Sequence, residues 1–127
     1  MDKAQAIHNF WSSFNLPAFD EIDVPDELNG SPVVMPYITY NVYTDSLDGM
    51  LTLNASIWYR ETTWKNVTKK AEEIAEYIVN MSPPSIEIDN GRLYLTKGTP
   101  FAQRLSDEDD MVKRIYLMVN AEFLTAY

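Results

Sequence analysis

The stretch from Gly49 to Arg60, GMLTLNASIWYR, alternates without a break. Leu51, Leu53, Ala55, Ile57 and Tyr59 fall on one side, and Thr52, Asn54, Ser56, Trp58 and Arg60 on the other. Successive side chains of an extended chain point to opposite faces, so a period of two over this length predicts a strand with one face on a core. The β-branched and aromatic residues toward its end favour the same reading. Directly afterwards the apolar period becomes 3.6, which predicts a helix. Everything else must supply this strand with neighbours and its leucine face with a cover.

Taken in order, residues 2–14 read as an amphipathic helix, capped by Asp2, with Ala4, Ile7, Phe10, Trp11 and Phe14 on its apolar stripe. Residues 15–33 are irregular, with Pro17, Pro25 and Pro32 and five acids. They form either a loop wrapping a sheet edge or an arm that orders on a partner, anchored by Leu16, Phe19, Ile22, Val24 and Leu28. Val34–Tyr43 is a strand, with Ile38, Tyr40 and Val42 opposed to Tyr37, Thr39, Asn41 and Tyr43; the link Thr44–Gly49 joins it to the central strand as a hairpin. Residues 62–81 form a helix with Thr62 or Thr63 as N-cap and Trp64, Val67, Ala71, Ile74, Ala75 and Ile78 as its stripe; Pro83 and Pro84 stop it. Its basic turn precedes its acidic one, against the helix dipole, so packing must hold it. Asn90-Gly91 between SIEID and RLYLT marks a hairpin. Lys97–Asp110 reads as a long polar connection, and Met111–Leu124 as a closing strand. The expected fold is a single α+β domain over 1–127, with 1–14 a helix, 15–33 an acidic irregular segment and 34–127 the core. Its sheet is mostly antiparallel or mixed, of about five strands, with two helices on one face and the order α-β-β-α-β-β-β.

At 127 residues the chain can bury one core. Without cysteine, disulfides, thiolate catalysis and Cys-based metal sites are excluded. No apolar run approaches a membrane span, and MDKAQAIHNFW lacks the layout of a signal peptide, so synthesis in the cytoplasm is expected. The net charge of −9 is unevenly placed: between Lys3 and Arg60 there is no Lys or Arg, while most cations follow Trp64. Phosphate backbones are held by cations, so this is a poor nucleic-acid binder. The acidity serves solubility, or a surface that repels a polyanion or meets a basic partner.

Little in the chain suggests catalysis. His8 is the single histidine and has no clustered second ligand type; a surface or half-buried histidine is the plain reading. Asp107–Asp110 lacks the alternating ligands, Gly and distal Glu of an EF-hand and reads as a solvated turn or cap. No catalytic residue, cofactor or metal is expected, and the chain is not expected to be an enzyme. Trp11 and Trp64 fall on helix stripes. Trp58, with Tyr37, Tyr43, Tyr116 and Met118, makes the second sheet face aromatic as well as polar. Either segment 15–33 covers that face or it is a subunit interface, where Tyr, Trp, Met and Arg are enriched; a ligand pocket there lacks a convergent titratable set.

ASIWYRETTW (Ala55–Trp64), KKAEEIAEYI (Lys69–Ile78) and DNGRLYLTKGTPFAQRLSDEDDMVKRIYLMVNAEFL (Asp89–Leu124) resemble the tail terminators of long-tailed bacteriophages and prophages, also described as tail-completion, minor tail or minor capsid proteins. The likeness spans about residues 35–124 and is one of pattern (strand, helix, hairpin and a KGxPFAQ loop) rather than of a catalytic signature. It implies a protein of the virion tail or neck, made in the bacterial host cytoplasm. Its subunits would form a ring, a hexamer in the virion, that need not exist before they meet their template. The implied partners are the tail tube protein and the head-completion or connector protein; DNA passes through unbound, and no membrane is involved. The resemblance places Phe101, Gln103 and Arg104 at partner contacts, with Trp58 on an interface face. Asp45 and Asp48, at the hairpin tip, would supply lumen-facing or inter-subunit charge, although turn chemistry alone accounts for acids there. Phe101 could equally plug a sheet edge. Another neck component, a small-ligand-binding α+β module and a DNA mimic are the competing readings; the last needs a regular acidic array that the Pro-rich Asp20–Glu27 cannot display on a helix.

Overall fold

The computed structural model of the chain describes residues 1–43, 49–81 and 85–125, with backbone alone at Val42 and Tyr43. In chain order the elements are α1 (Lys3–Trp11), a 3-10 turn (Ser12–Phe14), β1 (Ala18–Asp20), β2 (Glu27–Leu28), β3 (Ser31–Pro32), β4 (Tyr37–Tyr43), β5 (Gly49–Arg60), α2 (Lys65–Asn80), β6 (Ser85–Ile88), β7 (Gly91–Leu105) and β8 (Val112–Thr125). Six strands form one sheet in the order β1-β4-β5-β8-β7-β6, and β2 and β3 make a separate two-stranded sheet. β5 is central, pairing antiparallel with β4 on one side and along its whole length with β8 on the other. The fold is α+β, as expected, with six strands rather than about five. The sheet is mixed because β1 pairs parallel to β4.

The leucine face of β5 is the core face. Leu53, Ala55 and Ile57 are fully buried, together with Leu93 and Leu95 of β7 and Leu117 and Val119 of β8. α2 closes this face through Val67, Ala71, Ile74 and Ile78, and α1 through Ala6, Ile7, Phe10 and Trp11. Burying one such aliphatic side chain stabilises the fold by about 1.5–3 kcal/mol, so this layer holds both helices regardless of their caps. The first turn of α1 is closed by Asp2, whose Oδ1 accepts from the Gln5 amide at 2.7 Å. Ala6, not Ala4, joins the stripe, because it lies one turn before Phe10.

Three expectations need correction. Trp64, not Thr62 or Thr63, occupies the N-cap of α2, and its side chain makes no capping bond; the Lys65 amide donates instead to Thr63 Oγ1 at 3.4 Å. Lys97–Asp110 is not one long connection. β7 runs on to Leu105, pairing Ala102–Leu105 with β8 residues Leu117 to Arg114 after a register shift between Lys97 and Ala102. The segment's polarity reads as a connection, but the length of β8 provides pairing partners on both sides of the irregularity, where Pro100 needs no ladder bond. Finally, the segment 15–33 is anchored only at its start. Leu16 packs on the core and β1 adds to the sheet edge, whereas Ile22, Val24 and Leu28 are exposed. Within it Asn29 and Gly30, both at positive φ (54° and 82°), turn β2 back on β3.

Candidate assembly surface

The face of the sheet opposite the helices is built by register. Tyr37, Trp58 and Arg114 lie in one row, Thr39, Ser56, Tyr116 and Gln103 in the next, and Asn41, Asn54 and Met118 in a third. Trp58 is clamped from both sides: its Nε1 donates to Thr39 Oγ1 at 2.8 Å, and the Arg114 guanidinium stacks over its ring at 4.5 Å. Arg114 Nε also donates to Ser56 Oγ at 2.9 Å. The ring of Phe19 meets Tyr37, and Tyr37 meets Trp58, so an aromatic row crosses β1, β4 and β5 to end on the Arg114 cation.

Segment 15–33 borders this face without covering it. Phe19 reaches Tyr37, and Glu21 Oε2 accepts from Asn41 Nδ2 at 2.9 Å, both at the β4 edge. Trp58, Tyr116 and Met118 stay half-exposed. Asn54 is only 5% exposed, yet neither its Oδ1 nor that of its register partner Asn41 accepts a hydrogen bond. A buried acceptor left unpaired costs about 1–3 kcal/mol. The face is therefore aromatic and polar with unsatisfied acceptors, and no helix packs on it among the described residues.

A second surface lies on the helix side, where α2 leaves the outer half of β7 uncovered. Thr68, Ala71 and Ala75 of α2 face Phe101, Ala102 and Arg104 of β7 across a groove of about 240 Å³ floored by Ile115. Phe101 is half-buried against the core, with the Lys97 ammonium 5.9 Å from its ring. Arg104 stacks at 4.9 Å over Trp64, and Lys113 approaches the same ring at 5.7 Å. Trp64 is half-buried against the core, as its place on the stripe predicts, and its open side is the hub of a cationic cluster that Lys65 and Lys69 extend. Helical spacing could not show the cluster, because Arg104 and Lys113 come from strands distant in sequence. Of the anticipated contact residues, Phe101 and Arg104 come together along this strip of β7, while Gln103 borders the groove but belongs by register to the opposite face. Trp58 stands apart on the opposite face, and Asp45 and Asp48 lie outside the described residues.

His8 and the acidic run are engaged by their own neighbours. His8 is exposed and bonds Tyr40 Oη at 3.0 Å and Ser12 Oγ at 3.3 Å; burial, then the Asp20 carboxylate, pushes the Tyr40 hydroxyl up from its ordinary value. In the acidic run, Asp109 Oδ1 accepts from the Met111 amide and Oδ2 from Arg60 at 2.8 Å. Those two contacts, the backbone one first, hold its carboxyl below the usual range. Asp107 accepts from the Asp109 amide, so the run is a turn built on its own backbone. Among the described residues no cluster of His, Asp and Glu is arranged to hold a metal ion.

No family model and no curated protein matches the chain. Among solved structures, a chain from the virion of native gene transfer agent (GTA) particle is similar, at a TM-score of 0.51 and 16% identity, over 90% of this chain and 83% of that one. At that identity the likeness is one of fold: this protein has the α+β architecture of a virion chain.

Proposed function

We propose that the protein is a structural component of a phage-like virion and, within that class, a tail terminator: a ring-forming subunit that caps the tail tube and joins it to the head connector. The observation that carries this reading is the open sheet face, where Trp58 and Arg114 share one surface with Tyr116, Met118 and the unpaired acceptors of Asn41 and Asn54. These are residue types enriched where subunits meet. The fold shared with a chain of a gene transfer agent virion supports the same class. The long acid-rich first half suits a conduit through which DNA passes without being held. The role is structural rather than catalytic, with Phe101, Gln103, Arg104 and Trp58 at contacts to neighbours. A small-ligand module has in its favour several open surface clefts of about 380–570 Å³, none of them enclosed, and the more apolar groove beside Phe101. At about 240 Å³ that groove falls below the roughly 300–1,000 Å³ of ordinary ligand pockets and fits a few side chains better.

The test is light scattering on the isolated chain, followed by negative-stain imaging after mixing with growing tail tubes of the particle that encodes it. Tubes that end at one uniform length under a ring of this protein are expected. Tube growth that continues unchanged would remove the terminator reading and leave another neck component in its place.

A further inference from the structure

Two unsatisfied features lie at opposite edges of the one sheet. Beyond β1, the arm Asp20–Leu28 carries Asp20, Glu21, Asp23, Asp26 and Glu27, and none of them pairs with a cation among the described residues. The same arm holds large aliphatic side chains in solvent: Ile22 is 88% exposed, and Val24 and Leu28 are exposed with it. An acidic run needs no such residues for solubility, and exposing them costs about 25 cal/mol per Å² of apolar surface until something covers them. Four strand spacings away, roughly 19 Å across the sheet, is the α2–β7 groove. Its floor is apolar; of the charged groups that line it Arg104 is the cation and Glu72 the anion, and the adjoining hollow beside Trp64, which shares both, adds Lys65 and Lys69. An acidic segment with apolar anchors and an apolar groove that opens onto these cations are complementary in both respects. A subunit cannot bring its own arm round the sheet to its own groove.

We propose that the arm Asp20–Leu28 of one subunit seats in the α2–β7 groove of a second copy, with Ile22 over Phe101 and Ala75 and the arm's carboxylates against Arg104 and Lys69. Because the two patches differ and sit at opposite edges, the contact is head-to-tail and repeats from copy to copy. It rests on the ring reading for its closure but not for its pairing. Charge complementarity of this kind sets register and rejects wrong partners, which a ring of identical subunits requires.

The chain has no cysteine, so engineered pairs report cleanly. The variant carrying both Ile22→Cys and Ala102→Cys, oxidised at high protein concentration, should give a ladder of disulfide-linked dimers, trimers and larger species, whereas either single variant can give only dimers. Adding Arg104→Glu should lower ladder formation about tenfold, and adding Asp23→Lys to that background should restore it. No ladder from the double variant, or a ladder indifferent to Arg104→Glu, would overturn the contact. A ladder whose rings leave tail tubes uncapped would keep the contact and remove the terminator; capped tubes without a ladder would do the reverse.

Discussion

At the scale of single residues, close backbone approach explains why Gly98 stands in the middle of β7. A Cβ there would lie 2.7 Å from the Met118 carbonyl oxygen and 2.9 Å from Met118 Cβ, and β8 is held on both sides by ladder bonds, so it has little room to yield. Gly98→Ala should therefore destabilise the fold by about 1–3 kcal/mol, seen as a lower midpoint in urea with an unchanged slope; an unchanged midpoint would mean that β8 yields at Met118 without cost. The two outlying tryptophans show what spacing can and cannot reveal. Trp58 was legible as a surface residue because strand parity assigns a face by counting alone. The cationic side of Trp64 was not, since helical periodicity reports only the side that meets the core. Its partners Arg104 and Lys113 come from strands distant in sequence.

At the scale of elements, α2 runs against its own dipole. Its first turn carries Lys65 and no acid, and its last turn no base. Lys65→Glu should raise the melting temperature, through a gain of about 0.3–1 kcal/mol at this exposed position, in a thermal scan at low salt. A fall would show that Lys65 does more for the cluster around Trp64 than against the dipole. The long strands and both helices were readable because each has a buried face whose period matches its geometry. The short ones were not. β1 is three residues whose pairing with β4 is parallel and nonlocal. β2 and β3 have the same Asn-Gly signal at their turn as β6 and β7, but two residues on each side are too few to display an alternation. β7 was cut short by the polarity of its second half, which pairs with β8 beyond an irregularity within the strand.

At the scale of the whole molecule, the cations are segregated across the sheet: beyond β1 there are acids and no Lys or Arg, whereas Arg104, Lys65 and Lys69 gather beside β7 with Glu72 among them. If subunits join through those edges, assembly should weaken as salt rises, because the screening length falls from about 10 Å at 0.1 M to about 3 Å at 1 M. Sedimentation of assembled rings across a salt series measures this directly. Rings that hold equally well in high salt would shift the weight of the contact to the apolar anchors. The segregation itself was visible in the sequence. That its halves flank one sheet was not, since it depends on the crossover that places β8 between β5 and β7.

The irregular middle of β7 also bears on how such a subunit survives before it is used. β6 pairs only with Gly91–Tyr94, so among the described residues the outer backbone of β7 beyond Tyr94 is a bare strand edge. A long, flat edge of that kind would invite stray strands and seed aggregates. Here four residues, 98–101, oppose the single Met118, Pro100 offers no donor, and Lys97 and Arg104 stand on either side. The edge is bent, interrupted and charged, so the protein can wait at high concentration without sticking to itself through its backbone and reserve association for side chains that recognise the right neighbour.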